Sequence, residues 1–160
     1  MTQESNPAAE LPRQILWDFS TSESDSGRLK WVLHGREAQF FESEPQVRAA
    51  GIRLEIYDEE GRPGSSVEAD SGYLERRQGS GDMLARGRVL VISEEGYELR
   101  SSELNWDAER RVFHSDSFVE VRQGRDLHTG WEVEADENLE RISIGRDPVH
   151  EIISEGEELP

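Results

Sequence analysis

The chain has 160 residues, 35 of them acidic and 18 basic, for a formal net charge of −17. That balance excludes a duplex nucleic-acid binder, which must neutralise phosphates with lysine and arginine, and it disfavours adsorption to an anionic membrane. With no cysteine there is neither a disulfide framework nor a thiolate metal site, and 34% hydrophobic against 33% charged residues leaves material only for a narrow core.

The first stretch, "MTQESNPAAELPRQ" (1–14), and the last, "SEGEELP" (154–160), are polar, acidic and proline-bearing. They predict tails around one domain over 15–153. The opening lacks the basic and apolar regions of a signal peptide, and no apolar run approaches the roughly 18 residues of a membrane span. A short helix near 10–17 is one local reading. No later window sustains the i, i+3, i+4, i+7 pattern of a long amphipathic helix.

From about Gly27 the chain reads as short alternating strands broken by glycine, aspartate and Glu-Gly turns: "RLKWVLHG", "IRLEIYDEEG", "RVLVISEEG", "SFVEVRQG", "HTGWEVEAD", "RISIG". A frame recurs. "LEIYDEEG" (54–61) and "VLVISEEG" (89–96) share apolar positions followed by Glu-Glu-Gly, and "VEVRQG" (119–124) is the same frame shortened by two. Each copy leads through its glycine into another strand, "SSVEAD", "YELRSSEL" or "RDLHTGWEVEAD". The pattern predicts an all-β fold, a twisted open jelly roll of stacked antiparallel hairpins, each burying its apolar face only beside the next. A one-sided sheet must then curl over that face or leave it wet.

Carboxylates gather in "YDEEG" and "VEAD", and jelly-roll glycosidases use two carboxylates across a groove. Here they fall at turns and polar faces, so the sequence predicts no catalytic residue. His34, His114, His128 and His150 lack metal-ligand spacing, and "YDEEG" and "DENLE" lack the rhythm of a calcium loop. No metal and no cofactor is expected. Trp31 and Trp106 fall in strands, where packing accounts for them, and Arg86 and Arg88 read as solvated surface charges.

The order "DSGRLKWVLHGREAQFF", "IRLEIYDEEGRPGSSVEADSGYLE", "ARGRVLVISEEGYELRSSELNWDAERRVFHSDSFVEVRQGRDLHTGWEVEADENLERISI" resembles the LptC family of lipopolysaccharide-export components, and more broadly LptA and OstA-type domains. The likeness spans roughly 15–144. It implies a periplasmic, inner-membrane-associated bridge of a Gram-negative type bacterium. Such a bridge takes lipopolysaccharide acyl chains into a jelly-roll interior from the inner-membrane ABC transporter (LptF/LptG) and passes them to LptA. Family members carry an N-terminal membrane anchor, which this chain does not show, so membrane association is expected only through a segment missing from it.

Strand parity nominates the lipid-facing positions: Trp31, Leu33, Leu54, Ile56, Val67, Val89, Val91, Leu99, Val119, Val121, Val133, Ile142 and Ile144. An open sheet also has two unpaired edges that can add a partner strand. The resemblance puts the transporter at the N-terminal edge (28–34, with Arg28, Leu29 and Lys30). It puts LptA at the C-terminal edge (139–153, with Leu139, Arg141 and Ile142), where Pro148 removes a donor. Gly27, Gly124 and Gly130 read as turn and bulge glycines. The competing reading is a β-scaffold with a filled interior, which binds no lipid and assembles only edge to edge.

Overall fold

The computed structural model describes residues 11–43, 46–75 and 82–153. Of the expected tails at 1–14 and 154–160, residues 1–10 and 154–160 lie outside the described residues, while Arg13 already donates its N–H to the Phe40 carbonyl and Gln14 opens the first strand. Alternation becomes ten strands: β1 (Gln14–Asp25), β2 (Arg28–Phe40), β3 (Gln46–Tyr57), β4 (Pro63–Glu75), β5 (Met83–Ile92), β6 (Glu98–Asp107), β7 (Val112–Ser115), β8 (Val119–Gln123), β9 (Asp126–Asp136) and β10 (Ile142–Ile152). They form one antiparallel sheet in chain order, with β7 and β8 lying end to end between β6 and β9. The all-β jelly-roll class read from the sequence is the class observed. Among the described residues no helix is long and apolar enough to cross a membrane.

The helix considered near 10–17 is not formed. Gln14 to Trp17 belong to β1, paired with Phe40 to Glu37 of β2. So short a helix is marginal by itself, whereas β2 offers a ready row of backbone partners.

The repeated frame folds as its composition requires. Each copy ends a strand in a tight turn where Gly61, Gly96 and Gly124 take positive φ (85°, 91° and 63°), and β4, β6 and β9 return from those turns. In the first, the Asp58 carboxylate accepts the N–H groups of Glu60 and Arg62, both at 2.9 Å.

One face of the sheet is apolar and buried, but its period slips halfway along the strands. Buried positions switch parity in β2 from Trp31 and Leu33 to Ala38, and in β3 from Val47 and Ala49 to Ile52 and Leu54. The same switch separates Val67 and Ala69 from Leu74 in β4, and Leu99 from Leu104 and Trp106 in β6. Positive-φ residues mark this level elsewhere: Asp18 in β1, Gly87 and Arg88 in β5, Asp147 in β10. The ladders slip register beside the last three. β7 and β8 are parted there too, at 116–118.

A transverse crease therefore crosses the sheet. Bulges bend and twist a strand; the slips between β4 and β5, β5 and β6, and β9 and β10, together with the parity switches in β2, β3, β4 and β6, let one sheet fold over its own apolar face. Gly51 shows why glycine sits on the line: its φ is 62°, and a Cβ there would collide with the Arg36 side chain. The fold encloses one cluster running from Trp31 to Leu139, with Trp106 and Phe113 in contact at 4.7 Å between ring centroids.

Candidate functional site

Three features carry chemistry: the enclosed apolar surface, the two free edges, and a turn that closes one end of the roll. Along the inner surface, Trp31, Leu33, Leu54, Ile56, Val67, Val89, Val91, Leu99, Val119, Val121 and Val133 are all buried in one cluster, and Ile142 and Ile144 pack against it half-buried. Cross-strand pairing explains the continuity: Leu33 faces Leu54, Leu54 faces Val67, Val67 faces Val91, Val91 faces Leu99, and Leu99 faces Val121. Val91, Leu99 and Val121 are 0% exposed, so other side chains cover them in this state.

The buried hydroxyls are spent on backbone. Ser65 donates to the Glu137 carbonyl, Ser115 donates to the Glu103 carbonyl at 2.7 Å, and Ser93 Oγ accepts the Tyr97 N–H at 3.0 Å. Among the described residues no buried side-chain polar atom lacks a partner. The interior thus presents hydrocarbon to any guest.

Among the described residues only β1 and β10 have one neighbour, β2 and β9 respectively. The N-terminal edge expected at 28–34 is thereby displaced by one strand. Arg28, Leu29 and Lys30 lie in β2, between β1 and β3, because the stretch before Gly27 pairs as a strand of its own. Its signal is "QILWDFST", where every second residue from Ile15 is apolar or threonine. Ile15, Leu16 and Trp17 are 40%, 36% and 65% exposed along that edge.

At the other end, Ile142 opens the edge strand, but Leu139 and Arg141 belong to the preceding turn, and Leu139 is fully buried. The strand runs through Pro148 with a register slip between Arg146 and Val149; an edge position tolerates the missing N–H. Gly27 turns between β1 and β2 with φ 80° and Gly124 between β8 and β9. Gly130 lies at the crease, where Ile144 fills the space of its missing Cβ.

The closing turn, 137–141, is legible as a turn in "DENLE", but no local signal shows what it packs against. It reaches the far end of the roll. Arg111, in the β6–β7 turn, makes two 2.6 Å bonds to the Glu137 carboxylate and also donates to the Tyr57 carbonyl. Gln123 Nε2 donates to the Leu139 carbonyl at 2.7 Å. Arg111 and Glu137 are 19% and 16% exposed, and the pairing raises the Arg111 pKa above its ordinary value.

On the outer face, Arg86 pairs with Glu103 and Arg88 with Asp70, both at 2.8 Å and both well exposed. The histidines remain scattered except His128 and His150, and among the described residues no group is placed to hold a metal ion.

A folded-over sheet with a hydrocarbon interior and two open edges defines a protein of the β-jelly-roll class. Residues 2–146 match the family described as lipopolysaccharide-assembly, LptC-related, and the chain belongs to the LptC family. Membership places it among the periplasmic components of lipopolysaccharide transport and outer-membrane biogenesis in Gram-negative bacteria. No curated protein matches the chain in sequence.

Proposed function

We propose that this chain is a bridge: it accepts lipopolysaccharide acyl chains into its interior from the inner-membrane ABC transporter (LptF/LptG) and hands them to LptA, without making or breaking a covalent bond. The observation that carries this reading is the continuous apolar inner face, which reaches from Trp31 in β2 to Ile144 in the edge strand β10. Acyl chains would gain about 25 cal/mol for each Å² of apolar area removed from water. Because the inner side chains cover one another, loading requires the folded halves to part along the crease. β1 is the edge offered to the transporter, and β10 the edge offered to LptA. Association with the inner membrane rests on an N-terminal anchor of the kind that members of the family carry.

Photo-crosslinking residues placed at Val91, Val121 and, as an outward control, Glu120 test this in the presence of lipopolysaccharide. Adducts at the two valines and none at Glu120 are expected; adducts at Glu120 alone would sink the interior mode. The complete burial of Val91, Leu99 and Val121 favours a second reading, a lipid-free scaffold that assembles only through its edges. It predicts no adduct at any of the three positions while partner capture persists.

A further inference from the structure

The 137–141 turn is built as a unit. Asp136 accepts the Glu140 and Arg141 N–H groups on its side chain at 2.8 and 3.0 Å, and the Leu139 N–H on its carbonyl at 3.0 Å. What ties this unit to the rest of the roll is a separate set of polar contacts: Arg111 to Glu137, Ser65 to the Glu137 carbonyl, and Gln123 to the Leu139 carbonyl. Its one large apolar side chain, Leu139, points into the cluster that holds the nominated lipid-facing residues and is 0% exposed there.

Two features work against this closed position. Leu139 holds a positive φ of 57°, a backbone conformation disfavoured for a non-glycine residue. The Glu140 carboxyl also meets that of Glu95 in the β5–β6 turn. Its pKa is raised by a hydrogen bond to Glu95 and by that group's charge, with Asp136 adding to the rise and Arg141 opposing it. Once both are ionised, the contact is repulsive. Outside the turn lies a cleft of about 420 Å³, lined by Asp58, Arg62, Ser93, Glu95, Asn138 and Glu140, which gives the unit room to swing outward.

We propose that the β9–β10 turn is a displaceable plug: Leu139 stands where the end of an acyl chain would lie, and Arg111 is the positioning residue that keeps the plug seated. A guest entering the interior takes the hydrocarbon contacts of Leu139, so the side chain leaves without exposing the core. This regulates the same interior assigned to lipid above and rests on that reading.

The absence of cysteine permits a clean reporter, Leu139→Cys, whose maleimide labelling rate reads the unseated population. Purified lipopolysaccharide should accelerate labelling. Arg111→Ala should accelerate it without lipid by roughly tenfold, the worth of a charge-assisted bond, with Arg111→Lys falling between. Glu140→Gln, which removes the like charge and leaves the core untouched, should slow it; this variant stands in should Arg111→Ala fail to fold. A photo-crosslinker at Val91 is read in parallel. Adducts at Val91 with an unchanged or slower labelling rate overturn the plug and leave the carrier standing. No adduct with either arginine present or removed overturns the carrier, and the plug with it.

Discussion

His128 and His150 face each other across β9 and β10, rings stacked at 4.6 Å with planes 10° apart. His150 Nε2 lies 2.8 Å from Asp126 Oδ1. Burial, and then the charge on His150, lowers the His128 pKa below its ordinary value of 6.5, with Asp126 opposing. A depressed folded-state pKa means that the unfolded chain binds the proton more readily. The stability tied to neutral His128 is therefore full above pH of about 6.5 and lost as pH falls through the folded value. Urea denaturation repeated from about pH 7.5 to about pH 5 should show declining stability, and His128→Gln should flatten that slope. An unchanged slope in the variant removes His128 from the account.

At the scale of elements, the crease decides what each strand can do. Gly51→Val puts a β-branched side chain at φ 62° and against Arg36, so thermal unfolding should register a loss of at least about 1–2 kcal/mol. A variant as stable as the parent would mean that the bend tolerates side chains. The free edges give a second expectation. Val149 is 51% exposed on β10, and a lysine there blunts strand addition. Val149→Lys should reduce capture of LptA while leaving the circular dichroism unchanged.

Such strands were readable in part. Val119 and Val121 stand out because Glu120 and Arg122 alternate with them, and Val89 and Val91 because they lie in the apolar run "VLVI" of the repeated frame. Leu104, Leu74 and Val47 escape notice because they lie beyond the slip in parity, and a mid-strand Ser-Ser or Ala-Gly looks locally like any polar face. β1 was hidden by the serines and acids of its second half. Leu139 is the clearest miss: the sequence places it on the C-terminal edge strand, whereas it lies fully buried in the β9–β10 turn, and that turn is tied down by Ser65 and Gln123, distant residues that no local pattern joins to it.

For the whole molecule, a net charge of −17 rules out long-range attraction to the phosphates of lipid A. Loading must rest on acyl-chain burial, and added salt screens the repulsion. Affinity for lipopolysaccharide should accordingly hold or rise between about 0.05 and about 0.5 M sodium chloride, where the Debye length shrinks severalfold. A steep fall across that range would point to arginine–phosphate contacts instead. On the proposed reading this combination suits a protein that passes lipid along: an acidic exterior would not hold the anionic head, and the apolar interior would take only the tails.

The most direct measurement is a methyl-resolved NMR titration with purified lipid A. Bound acyl chains should perturb the inward methyl groups of Val91, Leu99 and Val121 in saturable fashion and leave those of outward Ile92 and Val149 in place. Shifts confined to Ile92 and Val149, with the inner methyl groups silent, would contradict a lipid-filled interior.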